Sequence, residues 1–262
     1  MNYIQVNKKL WDQKTEFHYE SEFYNVEDFI KNENSLNPIE IDLLGNLTGK
    51  SLLHLQCHFG QDSISLNKLG AEVTAVDFSS KAIERARELN NKMEAKVRFI
   101  ESDVYKLPEV LDQKFDIVYT SYGVLGWLPD MKKWAEIVSN FLKPGGILVL
   151  VEFHPVVWMF SDDFKKIEFK YSDKDPIIEE YEGTYADRNA DMTGKSICWN
   201  HGLSIVMDAL IQQKLEIKTF EEFSYSPYDC FENTVEVEKG KYMIKGLEGK
   251  IPMIYSVKAV KK

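Results

Sequence analysis

The stretch Ser51–Asp77, SLLHLQCHFGQDSISLNKLGAEVTAVD, sets the class of the fold. Leu52, Leu53 and Leu55 form a short apolar run that ends in a polar turn closing at Gly60. An amphipathic run follows to Gly70, and a second apolar run, Val73–Val76, ends on Asp77. Short apolar runs bounded by turn residues are strands, so the order is strand, turn, helix, strand, acid. In such a unit the turn after the first strand brings backbone N–H groups to a ligand, and an acid about 20 residues on accepts hydrogen bonds from ribose hydroxyls. The stretch points to a nucleoside-containing cofactor. A dinucleotide fits poorly, because Cys57-His58-Phe59-Gly60 carries one glycine where the dinucleotide fingerprint carries three. The competing reading is a generic buried βαβ unit whose Asp77 only caps the next helix.

A chain of 262 residues can bury one large core, and a single elaborated domain, 1–262, is expected. The net charge of −10 argues against a nucleic-acid partner, since that affinity rests on Lys and Arg neutralising phosphates. Cys57, Cys198 and Cys230 are widely spaced and odd in number, and no signal-like or membrane-spanning run stands out. A cytoplasmic protein with no membrane partner is expected. His54, Cys57 and His58 do not read as a metal site, because side chains on a strand entering a turn diverge and a fourth ligand is missing nearby.

Residues 1–36 are aromatic and polar at once, with Trp11, Phe17, Tyr19, Phe23, Tyr24 and Phe29. Phe23, Val26 and Ile30 fall at helical spacing and predict one helix lying on the core, which leaves the other aromatics to close over a ligand. Asn37-Pro38-Ile39-Glu40 is a helix start, and Gly45 a stop, so 1–44 reads as an N-terminal helical lid. In the core, 45–153, Ser79 and Ser80 cap a helix whose apolar stripe is Ala82, Ile83, Ala86, Leu89 and Met93. Val97–Ile100 is a third strand ending on Ser102 and Asp103; Phe115–Tyr119 is a fourth, ending on Thr120, Ser121 and Tyr122. Asp130 starts a helix with Trp134, Ile137, Val138 and Phe141 on one face; Lys143-Pro144-Gly145-Gly146 ends it before the buried strand Ile147–Val151.

The α/β rhythm then breaks. Residues 154–202 are aromatic and charged and read as antiparallel strands forming a cap, while 203–262 restore a helix and two strands, with a long connection over 221–250. The class is α/β, a Rossmann-like, doubly wound, mostly parallel seven-stranded sheet with helices on both faces and an antiparallel insertion as cap. The carboxyl ends of such a sheet form the ligand crevice, where Asp77, Asp103 and Thr120–Tyr122 should meet the turn at Gly60.

Five runs, LLHLQCHFG, VTAVDFS, SDVYKLP, FDIVYTSYGVL and LKPGGILVLVEFHP, together resemble the class I S-adenosylmethionine-dependent methyltransferases acting on small molecules. The resemblance covers about Leu43–Phe153 and resumes after Leu203, and HLQCHFGQD is similar to a variant bacterial subgroup. It implies S-adenosylmethionine as cofactor and S-adenosylhomocysteine as product. It places the ribose on Asp77, the adenine on Ser102, Asp103 and Val104 with Phe78 stacked near it, and the methionine above Ser121 and Tyr122. Where the family has an acid and then glycines, this chain has His54, Gln56 and His58, with Cys57 between them, and keeps Gly60. His54 would replace the acid as an anchor, and Gln56 and His58 would line the site.

Methyl transfer to a nitrogen, oxygen or sulfur acceptor is an in-line displacement, and orientation alone can supply about 7–11 kcal/mol in the best cases. If a base is used, His154 comes first, then His201 and Tyr24. A non-catalytic cofactor-binding or regulatory protein is the alternative, a nicotinamide-dependent oxidoreductase a weaker third. Monomer and homodimer both stay open.

Overall fold

The structure, a computed structural model, describes residues 2–262. The chain begins with α1 (Tyr3–Glu20), α2 (Val26–Asn32) and α3 (Pro38–Leu44). The expected single helix at Phe23–Ile30 is α2 alone, and Phe23 sits in the turn before it. Helix α1 escaped the periodicity reading because its buried face is polar. Beside Leu10 it buries Asn7, Lys14, Thr15 and His18. Helix α3 starts as expected, with Asn37 and Glu40 in a reciprocal capping box, and stops at Gly45.

The core follows as β1 (Ser51–Leu55), α4 (Gln61–Lys68), β2 (Glu72–Asp77), α5 (Ser80–Lys92), β3 (Arg98–Glu101), β4 (Phe115–Ser121), α6 (Met131–Phe141) and β5 (Leu142–Phe153). Then come β6 (Ile177–Glu182), β7 (Thr193–Cys198), α7 (Leu203–Gln212), β8 (Leu215–Phe223), β9 (Thr234–Glu238), β10 (Lys241–Ile244) and β11 (Ile254–Lys261). The main sheet has seven strands in the order β3-β2-β1-β4-β5-β11-β8. β1 pairs in parallel with both β2 and β4, and β11 runs antiparallel between β5 and β8. The strand order reverses at β1, so the crevice opens at the carboxyl ends of β1 and β4.

Both sheet faces are buried, which explains the fully buried β1 and the unbroken apolar run Ile147–Val151 of β5. Trp134, Phe141 and Leu210 pack on one face; Phe59, Ile64, Ile83 and Phe99 pack on the other. Outside the sheet, β6 and β7 form the expected antiparallel pair. β9 and β10 form a second hairpin where a plain connection was expected; β9 is exposed at four of its five residues, so it lacks the half-buried alternation that marks a strand.

Candidate active site

Strand β1 feeds a turn in which alternate residues are left-handed: Gln56 at φ 57°, His58 at φ 49° and Gly60 at φ 84°. For the two residues with side chains this backbone costs roughly 1–3 kcal/mol each, and such strain persists only where the surroundings hold it. The holding bonds are visible. Cys57 N–H donates to Val76 O at 2.9 Å, Gly60 N–H to Cys57 O at 3.0 Å, and His58 N–H to Asp77 Oδ2 at 2.9 Å. Gln56 Nε2 donates to Val124 O at 2.9 Å, and His54 Nδ1 lies 2.8 Å from Ser63 Oγ. Gly60 is required by packing as much as by conformation, since a Cβ there would lie 2.6 Å from the Phe99 ring.

Two polar atoms at this turn are buried without partners, Gln56 Oε1 and His54 Nε2. A bound polar ligand would satisfy them. Burial lowers the His54 and His58 imidazoles to about 3, so both rings are neutral acceptors or donors rather than cations.

Asp77, at the end of β2, is 7% exposed. It accepts from Ser79 N–H through Oδ1 and from His58 N–H through Oδ2, both at 2.9 Å. Burial raises its carboxyl to about 6 against those hydrogen bonds. Asp77, Phe78, Ser102, Asp103 and Val104 line a small cavity of about 30 Å³, closed on its far side by Tyr3, Ile4 and Asn7 of α1. Gln56, Asp77, Phe78 and Trp127 also line a much larger cavity of about 820 Å³ that runs on past the turn.

His54, Cys57, His58, Gly60, Ser121 and Tyr122 border this larger space, as do Tyr24, Tyr185, Trp199 and Phe231 from the surrounding segments. Tyr122 sits at φ 31° and donates its hydroxyl to Glu40 Oε2 at 2.8 Å; burial raises the Glu40 carboxyl to about 7. Glu152 at the end of β5 accepts backbone N–H bonds from Gly123, Val124, Leu125 and Phe153, which fixes the loop after β4.

All twelve residues assigned to the cofactor border one of the two cavities. The candidate bases divide. Tyr24 borders the large cavity, its hydroxyl 2.5 Å from that of Tyr185. His154 and His201 border neither and are withdrawn as bases. His154 is buried with Nε2 2.9 Å from Glu222 Oε1, and its Nδ1 accepts from Val156 N–H at 3.2 Å. His201 Nε2 is committed to the Leu128 carbonyl at 2.7 Å. Both rings are spent on structure, although their neighbours Phe153, Val157, Trp199 and Asn200 border the large cavity.

Sequence reasoning missed α1. Lys8 Nζ donates to Phe78 O at 2.6 Å and reaches Glu101 at 2.9 Å, and Asp12 accepts from Ser79 Oγ at 2.7 Å. Asn7 donates to Ile197 O at 2.7 Å and accepts from Ile197 N–H at 3.0 Å, tying α1 to β7. His18 Nδ1 lies 3.1 Å from His58 Nε2. The available signal was a run of polar residues at helical spacing, which reads as solvated until the partners are seen. Among the described residues no group of three or more His, Cys, Asp or Glu converges as a metal site, and no helix is long and apolar enough to cross a membrane.

The geometry defines a nucleoside-type crevice in a doubly wound α/β protein. Residues 52–146 match the family described as a methyltransferase domain. The ubiquinone biosynthesis O-methyltransferase of Alkalilimnicola ehrlichii is 30% identical over 118 residues, 44% of this chain and 47% of that one. The chain thus spans about half the length of the curated relatives it matches. An S-adenosylmethionine-dependent methyltransferase from Mesorhizobium loti has the same fold, with TM-score 0.59 and 21% identity over 86% of this chain and 96% of that one. So does geranyl diphosphate C-methyltransferase from Streptomyces coelicolor, solved with Mg2+, geranyl diphosphate and S-adenosyl-L-homocysteine, with TM-score 0.57 and 14% identity over 84% and 77%.

Proposed function

We propose that the protein transfers a methyl group from S-adenosylmethionine to a small-molecule acceptor. The observation that carries this reading is the turn Gln56–Gly60. It keeps the left-handed backbone at each alternate position, hands an N–H to Asp77, and leaves Gln56 Oε1 and His54 Nε2 buried and unpartnered on residues that border a large cavity. The methyltransferase-domain match over 52–146 and the fold shared with enzymes of that class support it.

The residues fit the cofactor. Asp77 would take the ribose hydroxyls, which its carboxylate can accept beside the two backbone bonds it already receives, since each oxygen offers two lone pairs. Phe78, Ser102, Asp103 and Val104 would hold the adenine once the first turn of α1 withdraws from the 30 Å³ cavity. Gln56, His54, Ser121 and Tyr122 would face the methionine end. When bound, the cofactor supplies a methyl group on a positively charged sulfur. The chain's own contribution would be to orient the acceptor, exclude water beneath the roof of aromatic side chains, and keep the His58 ring that borders the cavity neutral rather than cationic.

Calorimetry with S-adenosylhomocysteine and with NAD tests the reading, followed by radiolabelled S-adenosylmethionine in cell extract. Binding of the first, none of the second, and labelling of a small molecule are expected. No binding of S-adenosylhomocysteine overturns it. The bulk of Gln56 and His58 at glycine positions favours one second reading, a cofactor-binding regulator without turnover. Tight binding with no labelled product would select it.

A further inference from the structure

Asp62, in the first turn of α4, borders the large cavity together with Tyr24, Ser35, Ser121, Tyr122 and Tyr228. Two hydroxyls ease its charge: Ser35 Oγ donates to Oδ1 at 2.6 Å, and Ser121 bonds to the carboxylate as well. No cation does so, since among the described residues no ion pair includes Asp62 or its neighbour Glu40. The ionisable groups that its charge pushes upward are Tyr24, Glu40, Cys57, Tyr119 and Tyr228, and each of them is an acid. Burial lifts the Asp62 carboxyl itself to about 6, which still leaves it ionised at neutral pH. A carboxylate taken out of water among acids needs a positive partner, and the described residues bring none.

A second, independent observation concerns the atoms left over beside it. His54 is 2% exposed and borders the same cavity; its Nδ1 lies 2.8 Å from Oγ of Ser63, the residue after Asp62, and its Nε2 is buried without a partner. Gln56 Oε1 is buried and unpartnered too, and an amide oxygen only accepts. With the imidazole proton on Nδ1, facing Ser63, Nε2 accepts as well, so this end of the cavity is short of donors. The surrounding rings are held in place. Tyr122 donates to Glu40 Oε2 at 2.8 Å, Tyr228 accepts from Asn37 Nδ2 at 2.9 Å, and the two rings meet edge-on with centres 5.0 Å apart. Fixed aromatic rings beside a carboxylate suit a cation, and a primary ammonium is a cation with three donors and no acceptor.

We propose that this corner is an ammonium subsite, in which a ligand's primary ammonium group sits against the Asp62 carboxylate. The proposal rests on the methyl-transfer reading above and adds a specificity-determining residue to it. Two ligands of that reaction carry such a group, the cofactor at its methionine end and any acceptor that is an amine. Ser121 and Tyr122, placed at the methionine end, border the same corner, which favours the cofactor. The resemblance gave the anchoring task to His54, but burial lowers that imidazole to about 3, and a neutral ring balances no charge. Asp62 balances it, and Ser35, whose N–H also donates to Ser65 Oγ at 3.0 Å, ties the segment before α3 to the same carboxylate. A ligand with a carboxylate or phosphate in that place would meet Asp62 unpaired and be refused.

The test needs neither turnover nor the natural acceptor. Calorimetry on the full chain compares S-adenosylhomocysteine, which carries the ammonium, with methylthioadenosine, which lacks the whole amino-acid end. Benzylammonium, with benzyl alcohol as its neutral control, is then added to protein saturated with S-adenosylhomocysteine. Asp62→Asn keeps an oxygen for Ser35 and removes the charge. We expect it to bind S-adenosylhomocysteine about tenfold or more weakly and methylthioadenosine like the parent, which assigns the subsite to the cofactor. Unchanged binding of both nucleosides, with benzylammonium bound by the saturated parent and not by the variant, assigns it to an amine acceptor. Equal loss of both nucleosides, or no change for any ligand, overturns the proposal. Acid supplies the second measurement if Asp62→Asn does not fold. Of the groups facing the ligand here, the tyrosines, Cys57 and His54 stay neutral near pH 6, and Asp62 and Glu40 titrate. Asp77 titrates there too but serves the ribose of both nucleosides, so their affinity ratio isolates the corner. The preference of the parent for S-adenosylhomocysteine should fall as pH drops through about 6, and a ratio independent of pH overturns the cofactor assignment. If neither nucleoside binds the parent while benzylammonium binds in an Asp62-dependent way, the cofactor reading falls and the subsite stands.

Discussion

The turn after β1 and helix α1 face each other across the same crevice but are fixed in opposite ways. The turn is held by a backbone bond to β2, by its own Gly60–Cys57 bond, by the Asp77 carboxylate at the end of that strand, by the Gln56 amide on Val124, and by packing of Gly60 on Phe99. Helix α1 is held by single polar side chains reaching across: Asn7 to β7, Lys8 and Asp12 to the β2–α5 corner, His18 to the turn itself. A floor built from backbone and core should tolerate little change yet keep its shape without ligand. A roof tied by side chains can detach locally while the sheet stays folded, which the proposed cofactor site beneath α1 requires.

The largest effect should come from Gly60→Val. The new side chain would meet Phe99 at 2.6 Å from a backbone at φ 84°, combining overpacking with left-handed strain, roughly 2–5 kcal/mol together. Urea denaturation measures it. A variant as stable as the parent that has merely lost cofactor binding would mean that the floor is shaped by its ligand rather than by the core.

Replacing Lys14 sharpens the contrast from the roof side. Its folded pKa, about 8, lies below the unfolded value of 10.5. Between these values the unfolded chain binds more protons, so Lys14 makes stability rise with pH from about 8 to 10.5, and below pH 8 it is a standing penalty. The window corresponds to about 3 kcal/mol at most. Relative to the parent, Lys14→Met should be more stable at pH 7.5, with the advantage shrinking toward pH 10. Denaturation curves at several pH values decide this. Parallel curves for the two proteins would show that Lys14 is not desolvated and that the roof is looser than drawn.

Legibility followed the same division. The βαβ unit, the Ser79 cap, the stripe of α5 and the buried run of β5 could all be read, because each expresses a period or a stop signal that backbone and core physics impose. Asp77 was legible for the same reason: a strand end fixes where it points. Helix α1 was not, since Asn7, Lys14 and His18 gain partners only when distant segments arrive. His154 misled by position, being one residue past a strand end that the chain leaves at once for Met253 O. Gly60 reads from the sequence as the close of the turn, and its packing role shows only in the structure, where the nearest obstacle to a Cβ is the Phe99 ring.

Asp77→Ala tests the floor's chemistry. Losing charge-assisted hydrogen bonds to ribose hydroxyls should cost about 1.5–3 kcal/mol of S-adenosylhomocysteine affinity by calorimetry. Asp77 also accepts from Ser79 and His58 N–H, so the alanine variant loosens the turn as well. Asp77→Asn, which keeps an acceptor oxygen for one of them, separates the two effects. Unchanged affinity in both would remove the acid from the ribose site.

The smallest expected effect, Asn7→Ala, bears most directly on whether the roof moves as a unit. Asn7 is 1% exposed and makes both bonds to the N–H and carbonyl of Ile197. Removing the amide leaves the pair to solvent or unsatisfied, about 1–2 kcal/mol in all. Because β7 pairs with β6 on its other register and not with the main sheet, this loss should fall on the hairpin and α1 rather than on the core. Hydrogen exchange should therefore quicken at Ile197 and along the first two turns of α1 while β1, β4 and β5 stay protected, and the melting temperature should fall only slightly. S-adenosylhomocysteine should enter faster, since the covering turn at Tyr3, Ile4 and Asn7 would open more often. A uniform rise in exchange across the sheet would mean that α1 is part of the core, and the division between a backbone-built floor and a side-chain-tied roof would fail.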